Sequence, residues 1–418
     1  MTATMQARGF FGRQVLAAAF LLAVLGWGLG FYGPPIYLHA VQAARGWPVA
    51  LVSAAVTTHF LVGALVVANL PALYRRFGLA AVTKAGGAAL AAGVAAWALA
   101  ATPWQLFAAT LISGAGWATA GGAAVNAIVS PWFVRTRPAA LSTAYNGASI
   151  GGVIFSPLWV AAIGALGFPA AALIVGLIVA LTLWALGEFW FSRTPGGMGL
   201  APDGDAPGSA VPLAASPGAK PLPRDRLWRD VKFLTLAAGM ALGLFAQIGL
   251  IAHLFSLMVP ALGDTLAGLA MGAATAAAIA GRTLVGWLMP AGADRRLIAC
   301  ANYAVQILGS LALIAAAGTS VPLILLGVLL FGVGIGNATS LPPLIAQVEF
   351  VPKDVSRVVA LIVAVSQAAY AFAPAAFGLI RGIDGGADTG AARLFFAAAA
   401  LVQVLAIAVF LAGRRRRA

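Results

Sequence analysis

The sequence predicts an all-α membrane protein whose twelve transmembrane helices form two six-helix bundles. The chain is 62% hydrophobic and only 9% charged, and its mean hydropathy is +0.97. A soluble globular protein carries about 25% charged residues. Apolar runs long enough to cross a bilayer, which takes roughly 20 residues, occur twelve times along the chain. Lys and Arg collect between alternate runs, as membrane topology requires.

Pro, Gly and basic residues separate the twelve predicted spans. The spans cover residues 14–38, 48–71, 80–101, 104–130, 139–163, 169–191, 232–258, 266–289, 297–318, 321–346, 357–380 and 391–413. Arg8 and Arg13 precede the first span, which lacks a convincing small-residue cleavage site and runs far beyond a signal core. We therefore interpret it as a membrane helix and not as a removed signal peptide.

The distribution of positive charge predicts the orientation. Twenty-one of the 25 Lys and Arg residues fall on one side of the predicted spans, and Arg45, Arg381 and Arg393 fall on the other. The positive-inside rule then places both termini in the cytoplasm and the protein in the cell membrane. The net charge of +14 does not indicate nucleic acid as a partner, because the basic residues form short clusters between spans.

A polar segment divides the chain. Residues 193–230 are rich in Pro, Gly, Ala and charges and have no apolar period, which predicts a cytoplasmic linker. It would join a bundle of residues 1–192 to a second bundle of residues 231–418 with a basic tail. Short similarities recur at a nearly constant offset of 217 to 220 residues: Gly114 and Gly116 with Gly332 and Gly334, Phe133 with Phe350, and Arg75-Arg76 with Arg295-Arg296.

One charge lies inside a predicted span. Arg282 is the only charged residue between Asp264 and Asp294, and a guanidinium at that depth costs several kcal/mol. Pro290 follows eight residues later, about 12 Å along a helix, so the side chain would not easily reach the cytoplasmic face. A guanidinium grips a carboxylate through two parallel hydrogen bonds. The sequence therefore predicts an anchor for an anionic solute; the alternative is a structural arginine that stabilises a helix contact.

Small residues share the helix face of Arg282. Ala274, Ala278 and Thr275 lie one to two turns earlier on that face. We expect them to leave a cavity beside the guanidinium, to which Thr275 adds a hydroxyl.

Neutral polar residues inside the spans supply secondary candidates for substrate binding. These are Tyr32, Asn146, Asn337, Gln367 and Tyr370. Tyr32 stands among glycines just before Pro34-Pro35, which predicts a broken or flexible first helix. Neutral polar groups also join helices to one another, and that is the alternative for each candidate. Gly147 and Gly151, four residues apart, predict close approach of a neighbouring helix.

No carboxylate lies deep in any predicted span, which leaves His59 and His253 as candidates for carrying a coupling proton. Either histidine would otherwise be a packing residue.

The single cysteine, Cys300, excludes an intramolecular disulfide and a multi-cysteine metal site. Because no metal cluster, nucleophile–base set or acid pair appears, we predict no catalytic residue, metal or cofactor, and no enzyme activity.

Two six-helix halves joined by a cytoplasmic linker resemble the major facilitator superfamily. The loop after the second span, LYRRFG at 73–78, resembles that superfamily's signature without its usual Asp, and residues 286–296 carry a second copy. This resemblance makes Arg75, Arg76, Asp294 and Arg295 candidate gating residues that latch one conformation. The alternative is that these charges only set topology.

A second resemblance is more specific. Three stretches are similar to the monocarboxylate transporter and oxalate–formate antiporter branch of that superfamily. They are WFVRTRPAALS at 132–142, the small-residue stretch 144–152 and PGGMGLAPDG at 195–204. In that branch the substrate carboxylate rests on an arginine of the eighth helix, a position that Arg282 matches. Ala278 stands where proton-coupled animal carriers have an Asp. The eleventh span has Gln367 and Tyr370 but lacks the lysine of oxalate-type exchangers, which favours a monocarboxylate.

The sequence therefore predicts a secondary transporter that moves a small organic anion by alternating access. Its partners would be that anion, the lipid bilayer, and either a coupling proton or an exchanged anion. One alternative keeps the fold but exports cationic or neutral drug-like solutes by proton exchange. Another is a non-transporting membrane sensor, against which the lack of a large soluble effector domain counts. The sequence makes no prediction of the oligomeric state.

Overall fold

All regular elements that the structure describes are helices. The computed structural model describes residues 10–205, 224–290, 292–383 and 389–414. Seven α-helices precede the polar segment: α1 (Phe11–Gly30), α2 (Pro34–Arg45), α3 (Val49–Phe77), α4 (Leu79–Leu99), α5 (Pro103–Ala118), α6 (Gly122–Val129) and α7 (Arg137–Leu186). A π-helical turn, Gly187–Phe191, and two 3-10 turns, Gly196–Met198 and Pro202–Gly204, follow α7.

Seven more helices complete the chain. They are α8 (Arg224–Leu227), α9 (Val231–Leu288), α10 (Arg295–Ala316), α11 (Val321–Glu349), α12 (Pro352–Tyr370), α13 (Ala373–Gly382) and α14 (Thr389–Ala412). The predicted all-α class is confirmed.

In the described residues, nine helical stretches are long and apolar enough to cross a membrane. Two of them, Arg137–Phe191 and Val231–Leu288, contain 55 and 58 residues. At 1.5 Å per residue each exceeds about 80 Å, far more than a hydrocarbon core of about 30 Å, so each supplies two spans. Their bends lie at Gly167 and Gly263, whose φ angles of 76° and 69° favour glycine. With the pair α5 and α6, the predicted twelve spans are confirmed.

Three spans are interrupted. The first breaks between Gly30 and Pro34, where the backbone N–H groups of Phe31 and Tyr32 both donate to the Trp27 carbonyl at 3.0 and 2.9 Å. This confirms the predicted break of the first helix. The fourth span breaks between α5 and α6, and the eleventh breaks between α12 and α13. Each break leaves backbone groups that need partners outside the helix.

The chain forms two compact units, each assembled from separate stretches. Unit 1 contains residues 1–34, 62–155 and 161–215, and unit 2 contains residues 35–61, 156–160 and 216–418. The division into halves at residues 193–230 stays a prediction.

In unit 1, α7 packs on α1 through glycines. A Cβ added at Gly147 would lie 2.3 Å from the Phe20 carbonyl oxygen, and one at Gly151 would lie 2.5 Å from that of Val24. Backbone approach at these distances excludes any side chain. The predicted packing role of both glycines is confirmed.

The segment after α7 folds back onto unit 1 through Asp203. The Asp203 carboxylate accepts hydrogen bonds from the backbone N–H groups of Val134, Arg135 and Thr136 at 3.1, 2.8 and 3.2 Å, and from the Thr136 hydroxyl at 2.5 Å. In return the Asp203 N–H donates to the Trp132 carbonyl at 2.9 Å. The carboxylate thereby satisfies donors just ahead of the first turn of α7, where a negative charge is stabilised.

Two further contacts hold this segment. Arg135 forms a bidentate salt bridge with Asp205 at 2.9 and 3.0 Å, and the Phe10 ring packs on Trp132 and Phe133. The beginning of the predicted linker, up to Asp205, is therefore folded onto unit 1. Residues 206–223 of the predicted linker lie outside the described residues.

In unit 2, α9 and α11 pack backbone to backbone. A Cβ on Gly332 would lie 2.5 Å from the Ala274 carbonyl oxygen, and one on Gly336 would lie 2.6 Å from that of Ala278. This face of α9 is therefore in direct contact with α11, which fixes the position of the residues that follow Ala278.

Three buried glutamines connect the other helices of unit 2. Gln403 of α14 donates to Gln306 of α10 at 2.7 Å, and Gln306 donates to Gln247 of α9 at 3.1 Å. All three side chains are at most 2% exposed. Buried amides joined in this way fix the register between helices, because a shift would leave polar groups without partners.

Gly332 provides a test of the α9–α11 contact. Gly332→Ala would force a methyl group into the Ala274 carbonyl, so we expect a loss of about 1–3 kcal/mol in unfolding free energy, as for other overpacked sites. Thermal unfolding of the purified protein in detergent measures it. Gly286→Ala is the matched control, because no atom of a neighbouring helix lies within 4 Å of its added Cβ. Equal losses in both variants would contradict the contact.

Asp203 gives a pH-dependent prediction. Although partial burial opposes ionisation, the hydrogen bonds from Thr136, Arg135 and Val134 lower its pKa to about 2, against about 3.9 in an unfolded chain. A depressed folded pKa stabilises the fold above the unfolded pKa, and the effect is lost as pH falls toward the folded one.

We therefore expect the melting temperatures of the parent and of Asp203→Asn to differ by a constant amount from pH 8 to 5. The difference should shrink between about pH 4 and 2. A difference that persists unchanged at pH 2 would show that the charge of Asp203 contributes nothing.

Candidate functional site

Arg282 lies where α9 contacts α11. Its Nε and Nη2 atoms are 3.0 and 3.1 Å from the position that a Cβ on Gly336 would occupy. The guanidinium therefore rests on the glycine backbone of α11, and the side chain is half-buried. Any larger residue at position 336 would displace it.

The expected cavity beside Arg282 is not lined by the residues predicted for it. Ala274 and Ala278 are 3% and 1% exposed, because their face of α9 packs against Gly332 and Gly336. The Thr275 hydroxyl is buried and donates within its own helix, to the Met271 and Gly272 carbonyls. The small residues thus bring two helices together and do not leave open space.

Asn337 follows Gly336 directly and is 1% exposed. Among the residues that the structure describes, neither its Oδ1 nor its Nδ2 has a hydrogen-bond partner. Leaving such a group unpaired costs about 1–3 kcal/mol. A buried carboxamide in this state offers one acceptor and two donors next to the glycine on which Arg282 rests.

Tyr370 and Gln367 lie in the last turn of α12, beside the break in the eleventh span. Both are half-buried, and the Tyr370 ring packs edge-on against Phe60 of α3 with centroids 6.1 Å apart. His59, which precedes Phe60, is 1% exposed and packs against the Phe60 ring. Unit 2 thus brings one candidate histidine close to a candidate binding tyrosine.

Tyr32 and Asn146 belong to unit 1. Tyr32 is buried in the break between α1 and α2, with its ring against Phe31, and Asn146 is exposed on α7. The neighbouring Tyr145 donates to the Gly122 carbonyl at 2.9 Å and receives a bond from Asn126. The pair Asn126 and Tyr145 therefore joins α6 to α7.

His253 is fully buried and uses both ring nitrogens. Its Nε2 is 3.0 Å from the Pro374 carbonyl oxygen, and its Nδ1 is 3.2 Å from Nη1 of Arg381. A carbonyl only accepts and a guanidinium only donates, so Nε2 carries the proton and Nδ1 is the acceptor. The ring is neutral in this structure, and a second proton would remove the acceptor that Arg381 uses.

The two signature loops differ in their contacts. Asp294 caps α10 by accepting from the Arg296 and Leu297 N–H groups, and it pairs with Arg414 at 2.5 Å. Its partial burial opposes ionisation, but the hydrogen bond from Arg414 and those from the two N–H groups lower its pKa. Arg295 donates to the Leu344 carbonyl. These contacts hold the loop of unit 2 on its own helices.

Arg75 and Arg76 are exposed at the end of α3. Arg76 lies over the Phe77 ring at 5.1 Å, and no carboxylate of the described residues lies within ion-pair distance of either arginine. Their gating role stays a prediction.

Two arginines that the sequence did not propose as functional have defined contacts in unit 2. Arg296, 1% exposed, forms a bidentate pair with Glu349 at 2.6 and 2.8 Å. Arg381, placed by its sequence position in an outer connection, turns back to His253 and to Ser256, whose Oγ is 2.7 Å away. The available signal was the spacing of His253 and Ser256, one turn apart on a helix face.

The chemistry that these groups can perform is recognition. Among the described residues, no cluster of three or more His, Cys, Asp or Glu side chains could hold a metal ion. The cationic and amide groups of Arg282 and Asn337 are suited to bind an oxyanion by charge and hydrogen bonding.

Solved structures show the fold. The chain is similar to a bacterial homolog of the human lysosomal transporter Spinster in an inward-facing and occupied conformation, with a TM-score of 0.69 at 15% identity, over 97% of this chain and 99% of that one. It is also similar to the nucleoside transporter NupG, with a TM-score of 0.71 at 13% identity, over 96% of this chain and 99% of that one.

Comparison with curated proteins gives no significant match. Residues 15–374 match the model of the Major Facilitator Superfamily, which accounts for most of the chain and agrees with the twelve spans. The chain is therefore a multi-pass membrane protein of the Major Facilitator Superfamily, a family of transporters and not a class of enzymes.

Proposed function

We propose that this protein is a secondary transporter that moves a small organic anion, a monocarboxylate, across the cell membrane by alternating access. In this proposal, residues 1–192 and 231–418 form two halves that rock around a midplane site. Both termini and the 193–230 linker are cytoplasmic, as the Lys and Arg distribution indicates.

The observation that carries the proposal is the position of Arg282. A guanidinium inside a membrane span rests on Gly336, and the next residue, Asn337, is a buried carboxamide without a hydrogen-bond partner among the described residues. A carboxylate that binds Arg282 would supply oxygens within the same region. The cost of an unpaired Asn337 would then be recovered on binding.

Substrate charge also affects the conformational change. An empty site must enclose a positive guanidinium when the halves close around it, and burying an uncompensated charge is costly. A bound carboxylate neutralises Arg282 and lowers that cost. The loaded transporter then changes conformation more readily than the empty one, as exchange or symport requires.

The surroundings of Arg282 favour a substrate with one carboxylate over a substrate with two. The eleventh span has neutral Gln367 and Tyr370, and Arg381, which follows that predicted span, is engaged with His253 and Ser256. A dicarboxylate would need a second cation near Arg282. The motifs that resemble the monocarboxylate branch, at 132–142 and 195–204, agree with this selection.

For the coupling proton, His59 is better placed than His253. The contacts of His253 require a neutral ring, whereas His59 adjoins Phe60, which packs on Tyr370. If no proton is coupled, an exchanged anion takes its place.

An exporter of cationic drugs is disfavoured, because a cation would meet Arg282 and no carboxylate lies deep in a predicted span.

Transport by Arg282 variants tests the proposal. We expect Arg282→Ala to lower the uptake of labelled lactate or formate into proteoliposomes by at least about tenfold, since a charge-assisted hydrogen bond contributes about 1.5–3 kcal/mol. Arg282→Lys keeps the charge but loses the bidentate geometry, so an intermediate rate is expected.

The matched control is Thr283→Val. Thr283 is the exposed neighbour of Arg282, and its hydroxyl bonds to the Ile279 carbonyl of its own helix. Uptake of the labelled acid by Thr283→Val should equal uptake by the parent protein. Full uptake by a correctly inserted and normally stable Arg282→Ala protein would remove Arg282 as the anchor.

A further inference from the structure

The break in the eleventh span leaves α13 with an uncapped beginning. The first N–H groups of any helix lack partners within it, and α13 begins at Ala373 after two turn residues. Thr57 of α3 supplies one partner, because its Oγ1 accepts from the Ala375 N–H at 3.0 Å. Thr57 and Ala375 are both in unit 2.

A second contact continues along the same two helices. A Cβ added to Gly378 would lie 2.5 Å from both Cβ and Oγ of Ser53. The backbone of α13 therefore touches α3 one turn beyond the Thr57 bond. Along α3, Ser53, Thr57 and Phe60 contact Gly378, Ala375 and Tyr370 in succession.

Helix α13 is also held by α9. His253 donates from Nε2 to the Pro374 carbonyl, while Arg381 donates to both His253 Nδ1 and Ser256 Oγ. Pro374 and Arg381 lie near the two ends of α13, so the His253 and Ser256 side chains clamp this helix at both ends. The clamp fixes the orientation in which Ala375 presents its N–H group to Thr57.

We propose that Thr57 and Ala375 form the latch of an outer gate, and that His253, Ser256 and Arg381 position α13 for it. Thr57 lies in the predicted first bundle and α13 in the predicted second, and the charge distribution places Val49 and Gly382 at the outer face. The latch must break before a solute can reach Tyr370 from outside. This inference rests on alternating access but not on the identity of the solute.

A cysteine just inside the latch reports its state. In a Cys300→Ser background, Phe60→Cys places a thiol one turn inward from Thr57, and a membrane-impermeant maleimide added to intact cells measures its exposure from outside. Ala44→Cys, at an exposed position in the last turn of α2, is the reference that stays reactive in every variant. Total thiol is measured after denaturation.

We expect Thr57→Val and His253→Leu each to raise the labelling rate of this Phe60→Cys thiol by about fivefold, because each removes a hydrogen bond that holds the closed gate. His253→Gln retains one donor and one acceptor and should stay within about twofold of the parent. Thr58→Val should not change the rate, since the Thr58 hydroxyl donates to the Ala54 carbonyl of its own helix.

The proposal is overturned if Thr57→Val leaves the rate unchanged, or if Thr58→Val raises it equally. Equal labelling of His253→Gln and His253→Leu would show that His253 fills space and does not position α13. The assay needs no substrate, so loss of carboxylate transport in other experiments would not affect its outcome.

Discussion

The free-energy cost of removing a guanidinium from water constrains how the helices of unit 2 pack around their arginines. Arg296 meets this cost with a bidentate carboxylate, Glu349, which makes it a structural ion pair. Arg381 is held by the neutral acceptors His253 and Ser256. Arg282 rests on the backbone at Gly336, the residue that precedes Asn337. Three arginines thus have three environments, and the glycine on which Arg282 rests precedes a buried carboxamide that has no partner among the described residues.

Glycine positions connect this electrostatic constraint to the fold. The approach of α9 to α11 depends on Gly332 and Gly336, which lie against the Ala274 and Ala278 carbonyls at distances that no Cβ permits. The same approach brings the guanidinium of Arg282 onto α11. Helix packing and solute recognition therefore share one contact, and a change that separates the helices would also displace the proposed anchor.

Much of the fold follows from local sequence, because hydropathy, proline and the run of glycines around Tyr32 act within a few residues. The twelve spans and the broken first helix are of this kind. The contacts of Asp203 and Arg381 depend on residues far away along the chain, so composition gives no sign of them. For Ala274 and Ala278 the sequence predicts the helix face correctly, but a small side chain serves a cavity and a close helix contact equally well.

The central claim is that Arg282 binds a carboxylate, and ligand-induced stabilisation of the purified protein tests it most directly. Only a ligand that binds the folded state raises the melting temperature, by an amount equivalent to about 2.7 kcal/mol at 100 times Kd. We expect small monocarboxylates to raise it in the parent and to have no effect on Arg282→Gln, while amides of the same acids have none on either protein. Stabilisation by the amides, or an undiminished shift in Arg282→Gln, would contradict the account.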